Sequence, residues 1–120
     1  MIIYLDFDGT VVEHDYPRIG KPNPNAIKVI TKLRENHDVF LNTYRANLGD
    51  SSTAVEYLYK KGIKLSHVLL FKLTPKSWDW DRMLTEQIIW VDALTENIPM
   101  KDNMVNWIEL EKQFKENKLL

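Results

Sequence analysis

Short apolar runs alternate along this chain with segments of helical period, and that alternation narrows the fold more than any other feature. Runs rich in β-branched and aromatic residues fall at 2–6 (IIYLD), 38–42 (DVFLN), 67–71 (HVLLF) and 88–92 (IIWVD). Each has the length and bias of a buried strand. A further run at 104–110 (MVNWIEL) reads as a fifth strand, followed by a solvated helical tail, EKQFKENKLL. Between them, AIKVITKLREN after Asn25 places Ile27, Ile30 and Leu33 at helical spacing, with Asn25 as N-cap. SSTAVEYLYKKG reads as a second helix, capped at Ser51 or Ser52 and stopped at Gly62. TPKSWDWDRML reads as a third, with Thr74 as N-cap and Pro75 at the first helical position. Strands that alternate with helices at such intervals predict an α/β fold with a mainly parallel five-stranded sheet between helical layers. The 120 residues are read as one domain spanning 1–120.

Composition removes several classes of function. Formal net charge is −1, so no basic excess predicts general nucleic-acid binding, and only a phosphorylated end is retained as a nucleic-acid substrate. No apolar run approaches the roughly 18 residues of a membrane span. No basic stretch precedes the first apolar run, so that run is not read as a signal peptide. The absence of cysteine rules out disulfides and thiolate zinc sites and fits a reducing compartment, so the expectation is a cytoplasmic domain. His14 has no second histidine nearby, which argues against zinc. Oligomeric state is left open.

In parallel sheets of this kind ligands bind at the carboxyl ends of strands. The first strand delivers Asp6 and Asp8, the second Asn42, Thr43 and Arg45, the third Lys72, and the fourth Asp92. Carboxylates gathered on one rim repel unless a cation sits among them. A hard divalent ion with oxygen ligands fits, and Mg²⁺ is the usual choice for few carboxylates plus a phosphate.

The stretch DFDGT resembles the first motif of the haloacid dehalogenase-like (HAD) superfamily, mostly phosphatases. The order that follows is similar too: a strand ending in Thr, a Lys near a helix start, then a strand ending in Asp. The likeness of layout runs over roughly residues 1–100, and DFDGTVVEHDYPRIG is similar to a set of small bacterial HAD proteins. The resemblance implies a Rossmannoid three-layer sandwich and a Mg²⁺-dependent phosphomonoester hydrolase. Asp6 would be the nucleophile that forms an aspartyl-phosphate. Asp8 would protonate the leaving group and then activate water, while its main-chain carbonyl touches the metal. Thr43 would bind a phosphoryl oxygen, Lys72 would neutralise Asp6 and the phosphate, and Asp92 would hold Mg²⁺ with Asp6. Gly9 would let the backbone turn closely around the phosphate, and Thr10 would fix Asp8 or the turn.

Two positions leave alternatives open. Lys76, in the first turn of the expected third helix, competes with Lys72 for the role of active-site lysine. The fourth motif reads WVDALTEN, with Ala93 where similar chains carry a second acid and Glu96 as the candidate outer carboxylate. That departure sustains a second reading, a HAD-type domain that binds a phosphorylated ligand or a protein partner without catalysis. Arg45, two residues after Thr43, would grip a second anionic group of the substrate or form a surface ion pair. Glu13, His14 and Arg18, in the loop after the first motif, read as solvated or as contacts to substrate, and Trp78, Trp80, Trp90 and Trp107 as packing, with Trp78 or Trp80 as a candidate exposed partner contact. The intervals Asp6–Thr43 and Thr43–Lys72 span 37 and 29 residues, too few for a cap domain. An open, capless site favours a large phosphorylated substrate.

Overall fold

The computed structural model describes residues 1–120 and has a Rossmann-like α/β fold. Strands β1 (Ile2–Leu5), β2 (Asp38–Leu41), β3 (His67–Val68) and β4 (Ile88–Val91) form one parallel sheet in the order β3-β2-β1-β4. The sheet has four strands, not five. The run at 104–110 divides instead into β6 (Met104–Val105), which pairs antiparallel with β5 (Met100–Lys101), and the start of helix α4 (Trp107–Glu116). Its Asn106 side chain accepts a hydrogen bond from the Glu109 N–H at 3.2 Å, a cap that ends the extended chain. The hairpin turn is made by Asp102 and Asn103, both with positive φ (53° and 63°), as a two-residue hairpin turn with left-handed central residues requires.

Register places Ile3, Val39 and Ile89 on one face of the sheet, with Leu5, Leu41 and Val91 beside them, all buried. Helix α1 (Ala26–Asn36) packs into the same cluster through Ala26, Val29, Ile30 and Leu33, spaced one helical turn apart. Each fully buried Val, Ile or Leu among them stabilises by about 1.5–3 kcal/mol. Ala54 and Leu58 of α2 (Ser51–Lys60), Met83 of α3 (Trp80–Glu86) and Trp107, Leu110 and Phe114 of α4 join it too. The tail expected to be solvated therefore contributes Phe114 and Leu119 to the core. On the opposite face stands an aromatic row. Tyr4 stacks on Trp90 at 4.5 Å and meets Phe40 edge-on at 5.7 Å.

Asn25 holds the N-cap position of α1, as its place in the sequence predicts, with a positive φ of 70°. Its side chain does not cap, however. It bridges to α4, donating to Glu111 Oε1 at 3.0 Å. Helix α2 begins after Asp50 rather than Ser51 or Ser52. Helix α3 starts at Trp80, after Asp79, and not at Pro75. Residues 74–79 remain irregular because the two tryptophans are held elsewhere. Trp78 N–H donates to the Glu96 carbonyl at 2.7 Å, and both indole N–H groups donate to Gln113 Oε1 of α4, at 2.9 and 2.8 Å. Both rings also pack on Phe114, so neither is the exposed partner contact that the sequence allowed. No cap is inserted: only short bridges lie between β1 and α1, and only a 3₁₀ turn (Tyr44–Ala46) between β2 and α2. No helix is long and apolar enough to cross a membrane.

Candidate active site

Strands β1, β2 and β4 lie side by side and end at the same level, so the residues that follow them meet. The Asp6 N–H donates to the Val91 carbonyl at 2.9 Å, and the Asn42 N–H to the Leu5 carbonyl at 2.8 Å. Asp6 and Asp92 thus leave adjacent strands together, with Lys72 between them. Lys72 Nζ lies 3.1 Å from Asp6 Oδ1 and 3.0 Å from Asp92 Oδ2. All three side chains are largely withdrawn from solvent, so this is a desolvated triad.

Thr10 fixes Asp6, not Asp8. Its hydroxyl donates to Asp6 Oδ2 at 2.9 Å and accepts the Ala93 N–H at 3.0 Å. Its carbonyl is pinned by Asn23 Nδ2 (2.8 Å) and by Trp107 Nε1 (2.7 Å). Thr10 is fully buried, so it orients the candidate nucleophile and does not contact substrate. Burial pushes the Asp6 carboxyl up from its ordinary 3.8 to about 6, and the nearby Asp92 charge adds to that rise, while Lys72 and Thr10 oppose it. Burial also works against the Lys72 charge, but Asp6 and Asp92 outweigh it and hold the ammonium above its ordinary value.

The choice between the two lysines has a geometric answer: Lys72, not Lys76, joins the acids. Lys76 lies in the irregular segment before α3 and pairs with Glu86 at 3.1 Å on the surface. Two asparagines that the sequence reading left without a role place Lys72. Asn42 clamps the next residue, donating to the Leu73 carbonyl (3.0 Å) and accepting its N–H (2.8 Å), and Asn47 Oδ1 accepts the Lys72 N–H (2.9 Å). The only sequence signal for Asn42 was a polar residue closing an apolar strand.

Arg45 is neither a substrate grip nor a surface pair. It is buried, and all five guanidinium N–H groups have partners. Nε and one Nη2 proton fork onto the Asp8 carboxylate at 2.8 and 2.9 Å. The other Nη2 proton meets the Arg18 carbonyl (2.9 Å), and Nη1 meets Asp50 and the Pro17 carbonyl, both at 3.2 Å. Arg45 therefore ties Asp8, the loop after β1 and the start of α2 to one point. Buried Thr43 caps the 3₁₀ turn, its Oγ1 accepting the Arg45 N–H at 3.1 Å, which leaves the hydroxyl proton free to donate.

These groups line a cleft of about 540 Å³, which includes Asp6, Asp8, Gly9, Thr43, Arg45, Lys72 and Ala93. Gly9 turns there with φ 81°, and a Cβ on it would approach Ala93 Cβ to 3.5 Å. Glu96 is exposed and absent from the lining, so it does not supply the outer carboxylate. His14 reaches the cleft wall, whereas Arg18 pairs with Asp15 in solvent. A second cleft of about 550 Å³ lies beyond His14 and Asn103, along residues 21–24 and 101–108.

No group of three carboxylate or imidazole side chains converges on one point. The Asp8 side chain faces Arg45, which leaves its main-chain carbonyl as its available metal ligand. Asp92 Oδ2 is buried, and the Lys72 ammonium at 3.0 Å is its ion-pair partner. The repulsion between two buried carboxylates, Asp6 and Asp92, and an all-oxygen donor set suit a hard divalent cation.

The structure is similar to that of a conserved protein from Bacteroides thetaiotaomicron, at TM-score 0.67 and 24% identity, over 98% of this chain and 91% of the other. A likeness at that identity speaks for the fold. Neither a protein-family model nor a curated protein matches the chain.

Proposed function

We propose that this chain is a HAD-type, Mg²⁺-dependent phosphomonoester hydrolase that works through an aspartyl-phosphate on Asp6. The observation that carries the reading is the buried Asp6–Lys72–Asp92 triad at the ends of adjacent parallel strands, with Asp6 held by Thr10. Phosphoryl transfer asks a protein for in-line placement and charge neutralisation, and little else. Thr10 fixes one Asp6 oxygen, so the other is the one presented to phosphorus. Lys72 reduces repulsion between that carboxylate and a phosphate dianion, and the free Thr43 proton donates to a phosphoryl oxygen. Asp8 is the proton-transfer group, with Arg45 setting its position. Mg²⁺ would be held by Asp6, Asp92 and the Asp8 carbonyl, and when bound it supplies further neutralisation of phosphoryl charge.

The test is hydrolysis of p-nitrophenyl phosphate by wild type and Asp6→Asn, with Mg²⁺ and with EDTA. Turnover that needs both the metal and Asp6 is the expected result. Turnover retained by Asp6→Asn would remove the nucleophile assignment. The non-catalytic alternative draws on Ala93 in the cleft wall, where an acid was expected, and on the lack of a three-carboxylate cluster. Phosphate binding with no turnover on any ester would favour it.

A further inference from the structure

The polar floor of the cleft is matched by apolar walls. Tyr16, Tyr44, Leu48 and Leu94 line it from three different loops, and Leu94 is 75% exposed. Tyr44, Leu48 and Leu94 are all exposed and share one cleft, and apolar side chains gathered around a charged site mark a ligand surface. The cations of the cleft are equally telling. Lys72 is shared by Asp6 and Asp92, and every donor of Arg45 is taken by Asp8, Asp50 and two carbonyls. Lys76 is engaged by Glu86 outside the cleft. The lysines Lys21 and Lys101 line the neighbouring cleft, beyond His14 and Asn103. No free ammonium or guanidinium therefore awaits a second anionic group beside the phosphate, and apolar surface awaits something else.

We propose that the cleft takes an aryl phosphate monoester, its single phosphate on Asp6 and Lys72 and its ring against Tyr44, Leu48 and Leu94. The inference rests on the phosphatase reading and names its substrate class. In the reaction the Asp6 carboxylate forms a bond to phosphorus as the phosphorus–oxygen bond to the ring breaks, and the electron pair leaves with the aryl oxygen, which takes the proton of the Asp8 carboxyl group. A phenol, with a pKa of about 10, is a far better leaving group than an alkyl alcohol, whose acidity is nearer that of water at about 15.7. Water then attacks the phosphorus of the acyl phosphate, passes a proton to the Asp8 carboxylate, and restores the Asp6 carboxylate as inorganic phosphate departs. Apolar surface continues past the mouth through exposed Leu73, which shares an adjoining groove with Tyr44, Leu94 and Pro75. Such an apron would seat the chain around a phosphotyrosine.

Because aryl esters are intrinsically more reactive, binding of non-hydrolysable phosphonates is the cleaner test. Calorimetry on the whole chain with Mg²⁺ would compare benzylphosphonate, methylphosphonate and phosphonoacetate. Benzylphosphonate is expected to bind about tenfold tighter than methylphosphonate. Phosphonoacetate, with its second anion, is expected to gain nothing over methylphosphonate. Leu94→Asp should narrow the benzyl–methyl gap, and Leu48→Ser should do the same without adding charge. Equal affinities for benzyl- and methylphosphonate, or a preference for phosphonoacetate, would overturn the aryl assignment. Absence of Asp6-dependent turnover in the p-nitrophenyl phosphate assay would overturn the phosphatase reading instead. A peptide carrying phosphonomethyl-phenylalanine distinguishes the source. Tighter binding than the free amino acid marks a phosphotyrosine residue, and equal binding marks a small aryl phosphate.

Discussion

Asp6→Asn should abolish catalysis and stabilise the protein. The Asp6 carboxyl is raised from 3.8 to about 6, first by burial and then by Asp92. A rise of about two pH units, at 1.36 kcal/mol each, means that charging Asp6 within the fold costs roughly 3 kcal/mol. Asparagine has the same shape and no charge, so it escapes that cost. Its amide must sit beside the Thr10 hydroxyl and Lys72, and one imperfect hydrogen bond returns about 1 kcal/mol. The net gain at pH 7.5 without metal is about 1–2 kcal/mol, or a melting rise of about 5 °C for a chain of this size. The sign with pH is fixed by the same values. A carboxyl whose folded pKa exceeds its unfolded one makes the folded state take up the proton first, so stability falls as pH rises from 3.8 to about 6. The advantage of asparagine should therefore be full above pH 6 and turn into a deficit of about 1 kcal/mol below about pH 4, where only the imperfect hydrogen bond is left. Thermal melts of both proteins in EDTA from pH 4 to 7.5 measure it, and added Mg²⁺ should narrow the gap by stabilising wild type alone. An Asp6→Asn protein no more stable at pH 7.5, or one whose advantage does not change with pH, would refute the reasoning.

Lys72→Met leaves two buried carboxylates unpaired and should cost about 3–5 kcal/mol at neutral pH along with most of the turnover. Lys76→Met removes only an exposed pair and should change stability by less than about 1 kcal/mol, so comparable losses in the two variants would contradict the assignment of Lys72. Asp92→Asn should raise the Mg²⁺ concentration needed for half-maximal activity by about tenfold or more, and an unchanged titration would take Asp92 out of the metal site. Gly20→Ala drives a Cβ into the Glu13 carbonyl, so the loop that supplies the Pro17 and Arg18 carbonyls to Arg45 must shift. A melting point lowered by several degrees, with a raised KM, is expected; no change in either would mean that the loop does not position the cleft.

Strand positions β1, β2 and β4 were legible because continuous apolar runs with β-branched and aromatic bias act locally, and their carboxyl ends brought Asp6, Thr43 and Asp92 to one rim. The third strand shrank to His67–Val68 because its continuation is captured by Asn42 and Asn47, contacts between segments that no local pattern reports. The Thr74-Pro75 signal for a helix start was real chemistry overruled by tertiary contacts: two indoles that share Gln113 hold that segment irregular until Asp79. The fifth strand failed on a one-residue signal, Asn106, whose cap turns an apolar run into a helix. In the cleft, residue types gave the triad. They could not give the burial of Arg45, because its four partner residues lie on three separate stretches of chain.

A phosphoryl group on Asp6 is the central claim, and rapid acid quenching of the protein during turnover of a ³²P-labelled aryl phosphate tests it most directly. Peptide mapping of the quenched protein should place the label on the N-terminal fragment that contains Asp6, in a linkage stable to acid and cleaved by hydroxylamine, and Asp6→Asn should carry none. Steady turnover with no label on that fragment, or label retained by Asp6→Asn, would contradict it.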